Sequence, residues 1–385
     1  MRKAYQTLLS VVFLLVIVAP LVIMAFSKDT EISAKEKRRL KPFPDVQWDL
    51  SLLTDFPKQF TRYFDDHYGF RSELIDANRA LKRDVFNKSS SRIVIRGEGD
   101  WLFLDNNESL FDHVGLVPMN EQILSGWQQE LLNKQQWLAK KGITYLFVPV
   151  PNKMTIYPEH LPMRIRRHSG STMLDKLKTY LADQGKFDAY IDLESMFQEH
   201  KGSADSLYFF TDSHWTSYGA FLAYQTIMQR LGQSFPELNQ SLQLSDMQRE
   251  LRDKRTDLML IFGNRTPEKT FKLKPRNKCA SDAYPEIKAF AKTQAYAIRS
   301  KKLPVYNGCD TKHLTALIVR DSFGPYTYDF FSESFKRVVY MHSYDLTGME
   351  SFIDQEKPDI YIDLRVERNV KFLLKPDLKL QAALQ

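Results

Sequence analysis

Cysteine is scarce in this chain of 385 residues: only Cys279 and Cys309 occur. Two thiols exclude a disulfide-stapled scaffold, and with no histidine at ligand spacing they exclude a zinc site of recognisable type. Glycine and proline, at 15 and 17 residues, are too few for a collagen-like or Pro/Gly-rich disordered chain. There is no internal repeat and no low-complexity tract. Charge of one sign is also lacking, since 54 Lys+Arg against 47 Asp+Glu leaves +7. That mild excess is compatible with an acidic polymer or an anionic membrane surface and is too weak to imply nucleic acid. A single long apolar run excludes a polytopic membrane protein.

That run extends from Leu8 to Phe26, broken only by Ser10 and Pro20 and preceded by Arg2 and Lys3. At the helical rise it spans about 28 Å, close to the thickness of a bilayer core. The exit, Ile23-Met24-Ala25-Phe26-Ser27, is a poor small-x-small cleavage site. An uncleaved signal anchor over residues 1–27 is therefore expected ahead of a cleaved peptide, with a buried core helix the weakest reading. Lys28, Lys35, Lys37, Arg38, Arg39 and Lys41 outnumber the two basic residues before the run, which argues for a body kept inside. Long domains translocate largely regardless of such charges, so an external, periplasmic body is expected. A disulfide between Cys279 and Cys309 is permitted there, as are two free thiols.

Residues 28–91 read as a juxtamembrane linker, over 28–60, and N-terminal helices. Leu52, Phe56, Phe60 and Phe64, then Phe70, Leu74, Ile75 and Leu81, fall at helical spacings interrupted at Gly69. Asp65-Asp66-His67 has the residue types to bind a metal, but three adjacent helical residues point in different directions, so a solvated or capping cluster is expected. From residue 92 to 385 strand-like and helix-like runs alternate. Ile143–Val150, Ala189–Leu193, Leu314–Val319, Arg337–Met341 and Ile360–Leu364 read as strands. Gln122–Lys141, Ser171–Gln184 and Ser217–Leu231 read as helices. The alternation predicts an α/β three-layer domain with a mainly parallel sheet, whose ligands gather at the carboxyl ends of the strands. An insertion over about residues 232–313 interrupts it. Residues 249–278 hold ten Lys+Arg against four Asp+Glu, and Phe271-Lys272-Leu273-Lys274 alternates like an edge strand with a basic outer face. This segment reads either as solvated or as a polyanion-facing flank.

Two short segments carry chemistry. In Thr211-Asp212-Ser213-His214-Trp215, Asp212 and His214 are two apart, so in an extended turn both side chains leave on one side. A carboxylate beside an imidazole fixes its tautomer and leaves the other nitrogen as a general base. The competing reading is a cap on the following helix. In Ile318-Val319-Arg320-Asp321-Ser322-Phe323-Gly324 a strand ends and Ser322 stands at the turn, with Gly324 permitting a tight backbone. Its hydroxyl would be exposed and its N–H is a natural oxyanion donor; again the alternative is a helix cap. A strand-end serine and a DxH loop at another strand's exit are together the parts of a serine acyl-transfer site.

The order of elements resembles an SGNH hydrolase-like fold with its chain circularly permuted, because the Asp/His pair precedes the serine. Arg320 stands where the GDS motif of that fold has glycine. Within it the chain is similar to the alginate O-acetyltransferase family of the AlgJ/AlgX type. The shared stretches are the anchor, Glu36-Lys37-Arg38-Arg39-Leu40, Asp66-His67-Tyr68-Gly69-Phe70-Arg71, Asp100-Trp101-Leu102-Phe103, Pro151-Asn152-Lys153 with Ile156-Tyr157-Pro158, Asp212-Ser213-His214-Trp215, Asp321-Ser322-Phe323-Gly324, and Lys357-Pro358-Asp359 with Glu367-Arg368. With the chain stopping near residue 385, no appended carbohydrate-binding module of the AlgX type is expected, and the resemblance is expected to be nearer the AlgJ type.

The resemblance implies a periplasmic, inner-membrane-anchored enzyme that acetylates hydroxyls of an anionic exopolysaccharide such as alginate. Its partner would be a polytopic membrane acyltransferase that supplies acetyl groups. Ser322 would be the nucleophile, His214 the general base and Asp212 the orienting acid. Tyr328, six residues beyond the serine, would line the sugar site, and Asn152, Lys153 and Arg368 would contact an oxyanion or a uronate. No cofactor or metal is expected. The same triad also suits a carbohydrate acetyl esterase, and a non-catalytic polysaccharide-binding scaffold is a third reading.

Overall fold

The computed structural model describes residues 2–26, 32–33, 38–44, 50–84, 91–263, 266–281, 305–342 and 349–374. Ser27, Lys28, Lys35, Glu36, Lys37 and residues 282–304 of the insertion lie outside them. The chain divides into two compact units, Met1–Ser90 and Ser91–Gln385.

In the first unit Arg2–Phe26 is one helix despite Pro20. Its segment Lys3–Phe26 is long and apolar enough to cross a membrane, with a mean hydropathy of 3.0 and 6% burial in its most apolar window. So little burial excludes a core helix within this unit. Two-residue strands β1 (Ile32–Ser33) and β2 (Arg38–Arg39) pair antiparallel. Helices Leu50–His67 and Arg71–Asp84 follow. The first begins ten residues before the expected end of the linker, and Pro57 does not break it. An aromatic stripe at four-residue spacing carries it through, with Phe56–Phe60 and Phe60–Phe64 ring centroids 5.9 and 6.4 Å apart. The Asp65-Asp66-His67 cluster serves local bonding: Asp66 accepts from the Lys41 N–H (2.9 Å) and His67 Nδ1 lies 3.0 Å from the Tyr63 carbonyl.

The second unit opens on a small antiparallel pair, β3 (Val94–Arg96) and β4 (Leu102–Leu104). Its centre is a five-stranded sheet whose first member is β5 (Thr144–Val150). After a separate hairpin of β6 (Met247–Lys254) and β7 (Glu268–Pro275), the sheet resumes with β8 (Val305–Asn307), β9 (Thr315–Arg320), β10 (Arg337–His342) and β11 (Ile360–Val366). The spatial order is β5-β11-β9-β10-β8, with β8 alone antiparallel to its neighbour.

Alternation along the strands builds three layers. Leu146, Val148, Ile318, Tyr340, Ile362 and Leu364 join Phe221, Tyr224 and Ile227 of helix Ser217–Gly232 on one face. Tyr145, Phe147, Leu317, Val339 and Tyr361 join Leu131 and Leu138 of helix Glu121–Lys140 and Leu177 and Leu181 of helix Met173–Gln184 on the other. Residues 189–193 differ from the strand expected of them. One parallel bridge, Tyr190 to Phe147, forms on the edge of β5. The side chain of Asp192 then accepts the Ser195 N–H (3.1 Å) and starts helix Leu193–His200, which stops the pairing.

The insertion forms the β6–β7 hairpin, and its lysines are not a bare basic face. Lys272 is ion-paired with Asp329, and Lys274 with Glu250 at 2.8 Å. Beyond β7, Cys279 and Cys309 form a disulfide, and Glu333 accepts the backbone N–H groups of Cys279 (2.6 Å) and Ala280 (3.1 Å). The end of the hairpin is thereby tied to the sheet. A loop of this length loses enough unfolded-state entropy for roughly 2–4 kcal/mol of stabilisation. Cys279→Ser/Cys309→Ser should lower the denaturant midpoint accordingly, and dithiothreitol should lower that of the wild type but leave the variant unchanged.

Candidate active site

Residues 207–216 form a tight antiparallel loop. Tyr208 bridges Trp215, and the Thr216 N–H donates to the Leu207 carbonyl (2.8 Å). Thr216, not Asp212, caps helix Ser217–Gly232, its hydroxyl accepting from the Gly219 N–H (3.2 Å). The helix start is pressed onto the loop: a Cβ at Gly219 would lie 2.4 Å from the Leu207 carbonyl oxygen. Asp212 is thus free of capping duty, and it faces His214. Oδ1 accepts Nδ1–H of His214 at 2.6 Å and the His214 backbone N–H at 3.1 Å. Oδ2 accepts the Lys254 ammonium (2.6 Å) and the Asp257 N–H (3.2 Å). Burial pushes the Asp212 carboxyl up, but the hydrogen bond and charge of His214 and the charge of Lys254 outweigh it and hold it well below the usual range.

Lys254, Asp257 and Glu268 come from the insertion and were not singled out as individual residues by the sequence. Asp257 accepts the Ser213 N–H (2.8 Å) and hydroxyl (2.5 Å), while Glu268 accepts Thr211 through N–H (2.9 Å) and hydroxyl (2.5 Å). The concentration of charge in residues 249–278 was the available signal, but nothing local says which charge folds onto which loop. Asp212, His214 and Asp257 also offer three metal-ligand atoms within 4.8 Å of one another. The ammonium already on Asp212 Oδ2 and the proton shared with Nδ1 make this donor set one for a proton, not for a cation.

Ser322 follows β9 at the carboxyl edge of the sheet, in the turn before the short helical stretch Gly324–Thr327. It is exposed, and its hydroxyl makes no cap bond; the turn is held instead by Asp321. That carboxylate accepts the Phe323 N–H (3.0 Å), the Val366 N–H (2.9 Å) and the Asn369 amide (3.0 Å). Arg320 is buried, its Nη1 on the Asp321 carbonyl (3.2 Å). Its stem lies so close under the turn that a Cβ at Gly324 would be 2.6 Å from it. The arginine at the GDS glycine position is accommodated beneath the turn, with Gly324 giving it room.

The two segments meet at Phe323 and Tyr326. The Trp215 indole donates to the Phe323 carbonyl (3.1 Å), and the His214 ring lies 4.9 Å from the Phe323 ring and 5.5 Å, stacked, from Tyr326. His214 Nε2 is buried and, among the described residues, has no hydrogen-bond partner, Ser322 included. What sets it apart is its place, on a ring 4.9 Å from that of Phe323, the residue next to the exposed Ser322.

The other expected site residues fall in three places. Asn152 and Arg368 pair at 2.9 Å, with the Arg368 guanidinium 5.5 Å from the Phe323 ring centroid. Tyr328 packs on Tyr340, the ring centroids 4.0 Å apart and the planes tilted, with Arg320 over its ring. Lys153 is buried below the loop, its ammonium donating to the carbonyls of Leu102 (2.6 Å), Phe210 (2.7 Å) and Asp212 (3.2 Å). Desolvation lowers the Lys153 amine from 10.5 to about 7, against the pull of Glu268, Asp212 and Asp257.

A mostly parallel three-layer sheet with a carboxylate–imidazole pair and a strand-end serine at its carboxyl edge defines an SGNH hydrolase-like α/β protein. The family model described as "SGNH hydrolase-like domain, acetyltransferase AlgX" matches residues 94–296, more than half of the sequence, and the chain belongs to that family. The match includes Asp212 and His214 and ends before Ser322. Among curated relatives, "Probable alginate O-acetylase AlgJ" of Pseudomonas aeruginosa is 24% identical over 180 residues, 46% of this chain and 42% of that protein. Its namesake in Pseudomonas syringae pv. tomato is 26% identical over 174 residues, 45% and 42% of the two chains. The alignments thus span less than half the length of these relatives. Among solved structures, Bacillus cereus PatB1 with a sulfonyl adduct superposes with a TM-score of 0.52 at 19% identity, over 74% of this chain and 98% of that one. A DHHW family protein from Eubacterium siraeum gives 0.51 at 14% identity, over 76% and 98%. At these identities the likeness is one of fold.

Between pH about 7 and 10.5 the unfolded chain holds a proton on Lys153 that the folded chain has shed. Folding stability therefore rises with pH across that window. Lys153→Met should flatten this slope in denaturant titrations at stepped pH. It should also lower stability at pH 9 by leaving buried carbonyls unpaired, about 1–3 kcal/mol.

Proposed function

We propose that this chain is a serine-dependent O-acetyltransferase acting on hydroxyls of an anionic exopolysaccharide, alginate or a similar polymer. The observation that carries it is the unpartnered His214 Nε2, with its other nitrogen locked on Asp212, packed against the residue after Ser322. Ser322 Oγ attacks the acetyl carbonyl and gives its proton to Nε2. The tetrahedral oxyanion is met by the Ser322 backbone N–H, the neighbouring Phe323 N–H being held by Asp321, and the donor's leaving group departs with the proton. A sugar hydroxyl then loses its proton to Nε2 and attacks the acetyl-serine ester; the C–Oγ bond breaks and Ser322 Oγ takes that proton back from Nε2, restoring the free hydroxyl and the neutral imidazole. Asp212 keeps the Nδ1–H tautomer throughout and stabilises the imidazolium.

The Asn152–Arg368 pair behind Phe323 is the natural contact for the acetyl oxygen or a sugar. By position, Lys153 acts by holding the loop and Tyr328 by packing the helix after the turn. The apolar N-terminal helix acts as a signal anchor in the inner membrane with the body in the periplasm, where the disulfide is chemically at home. A polytopic membrane acyltransferase is the proposed acetyl source. The Pseudomonas relatives' name as alginate O-acetylases supports the reaction and substrate class.

With an activated acetyl ester, the detergent-solubilised wild type should carry one acetyl group on intact-mass measurement, and Ser322→Ala none. His214→Ala should slow the transfer about 10²–10⁴-fold. Polymer acetylation retained by Ser322→Ala overturns the mechanism. Free acetate with no acetylated polymer identifies an esterase instead.

A further inference from the structure

The hairpin does more than brace Asp212. A cavity of about 580 Å³ lies between it and the serine turn, walled by Phe209, Phe271, Pro325 and Tyr326 and by Arg252, Lys254, Lys272 and Thr270, among others. Its size is that of a ligand pocket, which runs from about 300 to 1,000 Å³. The register sets its chemistry. Arg252 faces Thr270, Lys254 faces Glu268 and Lys272 faces Glu250 across the hairpin, so by the two-residue alternation Arg252, Lys254, Thr270 and Lys272 share one hairpin face. Two walls belong to the candidate site as well: Tyr326 stacks on His214 (5.5 Å) and Lys254 holds Asp212 (2.6 Å).

The three cations are not equivalent. Lys254 is committed to Asp212 and Lys272 to Asp329. Arg252 is exposed and, among the described residues, has no carboxylate partner. Its planar fork is suited to bidentate contact with a carboxylate. Flat aromatic rings beside an unmatched guanidinium are the combination that takes a sugar ring bearing a carboxylate: the rings cover its C–H face and the guanidinium meets its charge.

We propose that this cavity is the acceptor subsite and that Arg252 selects a carboxylated sugar over a neutral one. The proposal rests on the acyl-transfer reading for its purpose but not for its test, which reads binding. The full chain in detergent is titrated by calorimetry with a 1,4-linked oligomannuronate and with the neutral 1,4-linked oligomannose of the same length. Arg252→Ala should weaken oligomannuronate binding about ten- to a hundredfold. It should leave the weaker oligomannose binding unchanged, and Arg252→Lys should restore part of the loss. Because Arg252 is exposed, the melting temperature should stay within a degree or two of the wild type, so misfolding is separable. Equal affinities of wild type and Arg252→Ala for oligomannuronate overturn the proposal, as does a wild type that does not prefer it over oligomannose. A chain that binds in this way but forms no acetyl-enzyme would refute the acyl-transfer reading alone.

Discussion

The Asp212 carboxylate is the point on which the site turns. It is nearly buried, a position that disfavours a negative charge unless every lone pair is met. Each oxygen takes two donors: the His214 ring and backbone N–H on one, the Lys254 ammonium and the Asp257 N–H on the other. That arrangement keeps the group ionised, and an ionised Asp212 in turn fixes which nitrogen of His214 carries the proton. The freedom of Nε2 follows from it. So does the packing of the ring, tilted against Phe323 and stacked on Tyr326, because the bond at Nδ1 restricts its orientation.

Around that point the domain divides its labour between the parallel sheet and the insertion. The sheet delivers the serine turn, with Asp321 stapling the end of β9 to the end of β11. The insertion delivers the charges that compensate Asp212 and secure the histidine loop through Ser213 and Thr211. The disulfide and Glu333 pin the far end of the hairpin. Lys153 secures the loop from below, its nitrogen gathering the carbonyls of Leu102, Phe210 and Asp212 at one buried point.

Much of the fold was legible in the sequence because its signals are local. Short β-branched and aromatic runs at 144–150, 315–320, 337–342 and 360–366 are fully formed strands. The segment 189–193 misled because a strand-like run of five residues can be stopped by one capping aspartate. The linker reading over 28–60 overlapped the helical reading that starts at Leu52, and the structure forms the helix there, a proline near its start weighing less than the aromatic stripe. The pairing of Asp212 with His214 was readable from a two-residue spacing, whereas Lys254 and Asp257 were not. They lie more than forty residues along the chain, and only hairpin register and docking bring them in.

The sequence by itself determined the elements, the apolar helix at the start and the residue types able to perform acyl transfer, since each follows from periodicity or from adjacency along a few residues. The tertiary structure alone decided how charge is matched. It made Asp212 a buried anion with an ammonium partner, made Lys153 a loop support, and put Arg252 on a cavity wall beside Tyr326. The reason is that electrostatic energy depends on distance and burial, and neither is encoded by position in the chain until long-range packing has set both.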